Sequence, residues 1–376
     1  MMSSHFVDQC DAVLKDMDGP SNAASEVFQD TDSMYNLKLD ELEIYYTKKL
    51  GIGTFCSVFP VHIVRNGKTN NKQQQQQQIF ALKQLNPEIV DNPHILKHAH
   101  NDLLHEAQLL KEMKHENIIR LVGMADASIV DKKEFFVITE ILESTLESRM
   151  ECWERMRNFW QTYIPNDEIE MRIISVAIPI ASALGYLHSK RIVYRDLKPG
   201  NIGFDLAGRV KVFDFGLALQ VPEGKKVRGM AVGTLRYMAP EMKTEFHSFP
   251  VDVYSFSILL WEIITSHVAF KELQGMTTFS IDKIPGDKRP TLKHVASSNY
   301  HLRNLLENCW TMDPTKRWDF PNIILELQKI VSHLSIEREV KKKSSFLTSP
   351  SLLCQEGMGP LSWIFSFLLL YIILNY

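Results

Sequence analysis

Residues 192–216 read IVYRDLKPGNIGFDLAGRVKVFDFG, and this stretch decides how the rest of the chain is interpreted. Two runs of strand-forming residues, 202–204 and 210–213, flank Gly208, which is the pattern of a β-hairpin with a tight turn. Four polar side chains surround that hairpin in the sequence: Asp196, Lys198, Asn201 and Asp214. The pattern therefore predicts a rigid support that holds an amide and two carboxylates side by side.

Such a grouping is suited to phosphoryl transfer, because one carboxylate orients a hydroxyl while the other carboxylate and an amide oxygen hold magnesium. The order and spacing of these residues resemble the catalytic and metal-binding loops of eukaryotic protein kinases. The resemblance implies that Asp196 is the catalytic base and that Lys198 neutralises the transferring phosphoryl group. It also implies that Asn201 and Asp214 hold Mg²⁺ between the β- and γ-phosphates of ATP.

The composition is that of a foldable protein of a reducing compartment. Of its 376 residues 45% are hydrophobic, and the formal net charge is -3, so a general affinity for nucleic acid is not expected. The 5 cysteines are scattered without C-x-x-C spacing, which argues against a disulfide framework and against a zinc site. The amino terminus lacks the basic flank and the apolar run of a secretory signal. We therefore expect a cytoplasmic protein without a nucleic-acid partner.

An alternating pattern from Leu42 onward predicts β-strands, with a glycine-containing turn, GIGTFC, at residues 51–56. The backbone N–H groups of such a turn approach phosphates closely. The run Phe80-Ala81-Leu82-Lys83 resembles the kinase strand that carries the ATP-anchoring lysine. On this resemblance the following residues of the small lobe contact the nucleotide: Gly51, Ile52, Gly53, Thr54, Val58, Ala81 and Lys83.

A helix that carries a carboxylate is predicted after this strand. Apolar residues recur at helical spacing between His98 and His115: Leu103, Leu104, Ala107, Leu110 and Met113. Because a buried lysine needs a carboxylate partner to stay charged, Glu106 on this helix is the predicted partner of Lys83. The strand at 135–140 then leads into the hinge. By resemblance Thr139 is the gatekeeper, and the backbone from Glu140 to Leu142 forms hydrogen bonds with adenine.

Two positions depart from the kinase pattern. Cys56 replaces the third glycine of the phosphate-binding turn, which stiffens the loop and places a thiol near the nucleotide. Gly203 stands where the family usually has a large apolar residue as the floor of the adenine pocket. We therefore expect a roomier pocket, or one that is floored by a neighbour such as Phe204.

The segment that follows Asp214 is unusual for one that phosphorylation commonly orders, because residues 217–233 contain no Ser, Thr or Tyr. By resemblance Arg195 would receive the phosphate of such a segment. We hypothesise that no phosphate is needed here and that Glu223 is a stand-in anion for Arg195. Thr234 is interpreted as the threonine that contacts Asp196 in serine/threonine kinases.

Further features of the large lobe also follow the resemblance. Asp252 is expected to cap the backbone of the catalytic loop, and Arg317 is expected to form a structural ion pair with Glu241. Asp167 and Glu170 fit the capping box of a helix. The Asp252 helix and the run CWTMDPTKR at residues 309–317 resemble the tyrosine-kinase-like group, whereas the Lys-Pro and Gly-Thr pairs near the site indicate serine/threonine specificity.

The predicted fold is therefore the α+β, bilobal protein kinase fold. A small β-rich lobe with one regulatory helix (42–140) joins through a hinge (140–144) to a larger, mainly α-helical lobe (145–335). The other segments are an acidic flexible leader, a basic and serine-rich linker and a hydrophobic tail: 1–41, 336–356 and 357–376. A glutamine-rich stretch within 65–78 is interpreted as a solvated loop between strands.

The resemblance implies a protein serine/threonine kinase that uses ATP and Mg²⁺ and acts on protein substrates. The chief alternative is a catalytically weak pseudokinase scaffold of the same fold. The departures at Cys56 and Gly203 favour this alternative, whereas the intact polar residues argue against it. A third interpretation is a membrane-tethered adaptor. It rests on residues 357–376, which would form a helix of about 30 Å and serve as a membrane anchor or as a docked tail.

Overall fold

The computed structural model describes residues 37–64, 78–89, 91–126, 131–160, 164–223, 227–228, 232–243, 246–273, 275–276, 282–283, 285–295 and 299–347. Three predictions lie wholly or largely outside these residues: those for the acidic leader, for the glutamine-rich stretch and for the hydrophobic tail.

The small lobe is built on a six-stranded antiparallel sheet. Its strands are β1 (Leu42–Ile44), β2 (Gly51–Ile52), β3 (Cys56–Ile63), β4 (Phe80–Leu85), β5 (Leu121–Met124) and β6 (Phe136–Glu140). Their order is β1-β3-β4-β6-β5, and β2 pairs with β3. Lys83 on β4 is paired with Val58 on one side and with Val137 on the other, so the lysine lies in the middle of the sheet.

Helix α1 (Pro93–Glu112) packs on this sheet. The side chain of Asn92 caps its first turn, and Pro93 takes the first helical position, where a missing N–H costs nothing. The helix buries one face, which consists of Leu96, Ala99, Leu103, Glu106, Ala107, Leu109 and Leu110. Glu106 is the only charged residue of that face, so the apolar stripe brings a carboxylate into the interior of the lobe.

The large lobe is mainly helical. Its helices are α2 (Leu146–Trp160), α3 (Asn166–Arg172), α4 (Ile178–Ser189), α5 (Pro250–Thr265), α6 (Tyr300–Cys309) and α7 (Phe320–Leu347), with a π-helical turn (Ile173–Ala177) between α3 and α4. Within the described ranges, one helical run, Asn166–Ser189, is long and apolar enough to cross a membrane, and 56% of its apolar stretch is buried inside the protein. Helix α5 is buried from Val251 to Thr265 and forms the centre of the lobe.

Short strands on the large lobe flank the candidate catalytic residues. They are β7 (Ser144–Thr145), β8 (Ile192–Val193), β9 (Ile202–Phe204), β10 (Val210–Val212), β11 (Leu219–Gln220), β12 (Val227–Arg228) and β13 (Phe246–His247). β9 and β10 form the predicted hairpin, and Gly208 has a φ of 73° in its turn. A small β-rich lobe joined to a larger helical lobe confirms the predicted α+β architecture.

The carboxylate of Asp252 fixes the loop that precedes the hairpin. Its Oδ2 accepts a hydrogen bond from the backbone N–H of Tyr194 (2.8 Å), and its Oδ1 accepts one from that of Arg195 (2.8 Å). Asp252 itself is fully buried near the start of α5. The central helix therefore holds the loop in place, which confirms the capping role predicted for Asp252.

The capping box predicted at Asp167 and Glu170 is wrong. Helix α3 begins at Asn166, and its N-cap, Pro165, makes no side-chain hydrogen bond. Glu170 is buried instead, where it accepts a hydrogen bond from Ser335 (2.6 Å) and pairs with Arg338 (3.2 Å) on α7. The carboxylate joins two helices that are far apart in the sequence, and a local pattern cannot reveal such a contact.

Candidate active site

Three charged side chains from three different elements meet between the lobes. The Nζ of Lys83 donates to Oε2 of Glu106 (2.6 Å) and to Oδ1 of Asp214 (3.0 Å). Lys83 comes from β4, Glu106 from α1, and Asp214 directly follows the hairpin. The predicted pair of Lys83 and Glu106 is therefore formed, and the same ammonium group also connects the small lobe to Asp214.

The charge states of this group follow from the balance between burial and pairing. Burial alone would lower the pKa of Lys83, but the carboxylates of Glu106 and Asp214 outweigh it, and the pKa is raised. Burial would raise the pKa of Asp214, but the charges of Lys83 and Lys198 outweigh it and lower the pKa. An ammonium and an ionised carboxylate are thus both available at neutral pH, as binding of a triphosphate and a cation requires.

The carboxylate of Asp196 is held from both sides. Its Oδ1 accepts from Oγ1 of Thr234 (2.9 Å), and its Oδ2 accepts from Nζ of Lys198 (2.8 Å) and from Nδ2 of Asn201 (2.9 Å). Burial raises the pKa of Asp196 above its ordinary value, although hydrogen bonds from Lys198 and Thr234 oppose that shift. A fixed carboxylate with a raised pKa can accept a proton in a defined direction.

The two candidate metal ligands lie on either side of the hairpin and offer the oxygens that Mg²⁺ prefers. The amide nitrogen of Asn201 donates to Asp196, its amide oxygen has no hydrogen-bond donor among the described residues, and the side chain of Asp214 is 43% exposed. In the described part of the chain no three His, Cys, Asp or Glu residues form a metal-binding group. Mg²⁺ does not need one, because it keeps several waters and takes one or two carboxylates together with substrate phosphates. The donors therefore fit this ion.

The backbone is left-handed at two positions of this region. Arg195 has a φ of 69° and Asp214 a φ of 63°. A non-glycine residue in that conformation is strained, and such strain is concentrated at functional sites, where the surrounding structure maintains it.

The glycine-containing turn of the small lobe joins β2 to β3. The backbone N–H of Gly53 donates to the carbonyl of Cys56 (2.7 Å), which closes the turn. The Cys56 side chain is half-buried, and burial raises the pKa of its thiol to about 11 against the opposing charge of Lys83. The thiol is therefore protonated at neutral pH and is not a reactive thiolate.

The space at Gly203 is filled by side chains other than Phe204, the neighbour named from the sequence. A Cβ on Gly203 would lie 2.5 Å from Cδ1 of Leu142 and 3.3 Å from Cε1 of Phe213, so these two side chains already fill the space. Phe204 is buried under the guanidinium group of Arg149, which lies 3.4 Å from the ring centroid. Because successive side chains of a strand point to opposite faces, Phe204 cannot replace its neighbour. Neighbouring side chains therefore fill the space, as the second alternative expected, but they are Leu142 and Phe213 and not Phe204.

Basic side chains hold the first part of the segment that follows Asp214 by its backbone. Nε of Arg195 donates to the carbonyl of Leu217 (2.7 Å), and Nε of Arg191 donates to that of Val221 (2.9 Å). β11 in this segment pairs with β8. Arg195 makes no ion pair with Glu223 among the described contacts. Backbone carbonyls take the role that was hypothesised for Glu223.

The sequence interpretation missed one buried ion pair at the hinge. Lys211 on β10 is buried, and its Nζ lies 3.1 Å from Oε1 of Glu140 at the end of β6. The same carboxylate oxygen accepts the backbone N–H of Arg120 (2.8 Å). A lysine between two valines of a buried strand was the available signal, because an unpaired charge is not stable there.

The comparisons with known proteins agree with this geometry. Residues 45–329 match the protein kinase domain family, and the chain belongs to that family. The serine/threonine-protein kinase STY46 of Arabidopsis thaliana is 29% identical over 269 residues, which cover 71% of this chain and 43% of that protein. The serine/threonine/tyrosine-protein kinase HT1 of the same plant is 31% identical over 247 residues, which cover 63% and 59%.

A third relative, the serine/threonine-protein kinase 12 of Arabidopsis thaliana, is 27% identical over 312 residues, which cover 81% of this chain and 60% of the relative. The chain thus spans about half the length of these curated relatives. Together with the family match they confirm the assignment to eukaryotic protein kinases of the tyrosine-kinase-like type. A protein kinase domain takes ATP as its phosphoryl donor.

Proposed function

We propose that this chain is a serine/threonine kinase that transfers the γ-phosphate of ATP to hydroxyl groups of protein substrates. The observation that supports it best is the meeting of Lys83, Glu106 and Asp214 beside the held carboxylate of Asp196. A scaffold that only binds a partner needs neither a catalytic base nor its three donors. The rival pseudokinase interpretation is for that reason the weaker one.

Each polar side chain has a defined part in the proposed reaction. Lys83 holds phosphate oxygens of ATP, and Glu106 keeps that ammonium group aimed. Asp196 orients the substrate hydroxyl and takes its proton as the hydroxyl oxygen bonds to the γ-phosphorus and ADP leaves. Lys198 neutralises charge on the transferring group. Mg²⁺, held by Asn201 and Asp214, would neutralise the β- and γ-phosphates.

The proposed acceptor is serine or threonine because of the donors around Asp196. Lys198 and Thr234 both donate to its carboxylate, Lys198 at 2.8 Å and Thr234 at 2.9 Å, in the arrangement that the resemblance assigns to serine/threonine kinases. The names of STY46 and kinase 12 describe those proteins as serine/threonine kinases, which supports the same choice here.

The test is transfer of radiolabelled γ-phosphate from ATP to a generic protein such as casein, with magnesium and with a chelator in its place. We expect magnesium-dependent labelling and recovery of the label as phosphoserine or phosphothreonine after hydrolysis. Binding of ATP without transfer would favour the pseudokinase scaffold. Label recovered only as phosphotyrosine would contradict the proposed acceptor.

Activity is expected to be independent of phosphate on the segment after Asp214. The Nε donors of Arg195 and Arg191 already hold the carbonyls of Leu217 and Val221, so an added phosphate is not needed to order this part. Phosphatase treatment should change the transfer rate by less than about twofold. Mass spectrometry of active protein provides the second measurement, and an obligatory phosphate on Thr234 or Tyr237 would contradict the expectation.

The cytoplasmic location stays a prediction, and so does anchoring of the chain to a membrane through residues 357–376. Fractionation of a tagged full-length chain, with and without those residues, tests both. The anchor predicts that only the full-length chain sediments with membranes.

A further inference from the structure

Gly203 lies at a position where a side chain would point toward the hinge. It pairs with Thr145 on one side and with Lys211 on the other. Side chains of directly paired residues lie on the same face of a sheet. The Lys211 ammonium on that face reaches Glu140 at the end of β6 (3.1 Å). The missing side chain of Gly203 therefore faces the hinge and the cleft between the lobes.

Leu142 occupies the volume that a side chain on Gly203 would need. A Cβ built there would lie 2.5 Å from Cδ1 and 3.2 Å from Cγ of Leu142, whereas real Cβ atoms do not approach another heavy atom within 3.0 Å. Leu142 is half-buried and packs against the hydrophobic core. The leucine thus extends from the hinge over the backbone of β9, and Phe213 at the end of the hairpin, whose Cε1 would lie 3.3 Å from that Cβ, closes the space from the other side.

The small lobe provides the opposite wall. Ala81 and Lys83 are two residues apart on β4 and so lie on the same face, about 7 Å from each other along the strand. Lys83 marks the phosphate end of the cleft, and Ala81, which is paired with Thr139, marks the end toward the hinge. A base attached to a triphosphate at Lys83 would lie between Ala81 and the surface of the large lobe that Leu142 covers.

We propose that the hinge residue Leu142, which covers Gly203 of the large lobe, provides the surface against which the adenine base of ATP packs, in place of a side chain at position 203. The inference rests on the proposed function, because it assumes that ATP is the nucleotide. It assigns recognition of the base to the side chain of Leu142, whereas the triphosphate would be held by Lys83 and by the Mg²⁺ that Asp214 and Asn201 would bind. Base affinity and phosphate affinity should therefore respond separately to substitution.

Calorimetric titration of the full chain with Mg·ATP and with magnesium tripolyphosphate tests this separation. Leu142→Ala should weaken ATP binding about tenfold, because three buried apolar carbons are lost, and should leave tripolyphosphate affinity unchanged. Leu206→Ala is the matched control, since that leucine lies in the turn of the same hairpin and is 76% exposed. The ATP affinity of Leu206→Ala should equal that of the wild type.

The double variant Leu142→Ala with Gly203→Leu shows whether ATP binding is lost because the apolar surface of Leu142 is removed or because the conformation of the hinge is changed. A leucine on the hairpin should rebuild the wall once Leu142 is truncated, so ATP affinity should return to within about twofold of the wild type. If Leu142→Ala fails to fold, Gly203→Ala provides the same test, because its methyl group displaces Leu142 without replacing it and should cause the same selective loss.

Three outcomes would overturn the inference. Unchanged ATP affinity in Leu142→Ala would do so, and so would an equal loss for ATP and tripolyphosphate, or a loss that the double variant does not recover. These leave the proposed function intact as long as the wild type binds and uses ATP. A wild type that binds no ATP would overturn the proposed function and this inference together.

Discussion

Asp196→Asn is expected to lower kcat for phosphate transfer by about 10³-fold while the affinity for Mg·ATP changes by less than about twofold. An amide cannot take the proton of the substrate hydroxyl. It also cannot accept from all three donors, because its NH₂ group would face Thr234 or the pair of Lys198 and Asn201. The residues that grip the triphosphate are not changed. Steady-state kinetics and ATP titration of the same preparation measure both quantities.

The pH profile separates a catalytic base from a residue that only positions its neighbours. Burial raises the pKa of Asp196, so kcat/KM of the wild type should fall on acidification at a pH above the ordinary titration of an aspartic acid, which is about 4. The residual activity of Asp196→Asn should lack that acid limb. Asp40→Asn, at an exposed aspartate, is the control and should behave as the wild type. Residual activity within about tenfold of the wild type, with the acid limb retained, would remove Asp196 from the role of base.

The sequence predicted the catalytic region well because its chemistry is local. Asp196, Asn201 and Asp214 belong to one loop and one hairpin, so their offsets fix their relative positions once the turn at Gly208 forms. The partnership of Lys83 with Glu106 could also be predicted, because a lysine in a buried strand requires a carboxylate, and only one carboxylate lies on the buried face of α1.

The features that were predicted wrongly depend on contacts between distant parts of the chain. Glu170 fits a capping box three residues after Asp167, yet its carboxylate is held by residues of α7. Gly203 shows in the sequence that a side chain is missing, but not which neighbour moves into the space. Leu142 reaches this space because β7 pairs with β9 and brings the hinge beside the hairpin. The register of that pairing cannot be predicted from the sequence of either strand alone.

Arg317→Met is expected to reduce the free energy of unfolding by about 3–5 kcal/mol, the usual result of removing one partner from a buried ion pair. The Arg317 side chain is completely buried and donates to both carboxylate oxygens of Glu241, at 2.5 Å and 2.9 Å. It also donates to the carbonyls of Pro250 (2.9 Å) and Thr311 (3.0 Å). Methionine fills a similar volume but donates to none of these acceptors, so the half-buried carboxylate of Glu241 and two carbonyls lose the guanidinium of Arg317. Urea denaturation followed by tryptophan fluorescence measures the loss.

The neighbouring Lys316 provides the matched control for Arg317. Its side chain is 75% exposed, so Lys316→Met should change stability little, although the substitution removes the same charge one residue away. Combining Arg317→Met with Glu241→Gln should cost less than the sum of the single changes, because the second substitution removes the carboxylate that the first leaves without its guanidinium. Additive losses, or a loss below about 1 kcal/mol for Arg317→Met, would mean that the pair does not join the Glu241 segment to the start of α5 and to the loop before α7. A coupled loss means that this ion pair, far from the phosphate-binding residues, holds the substrate side of the large lobe in place.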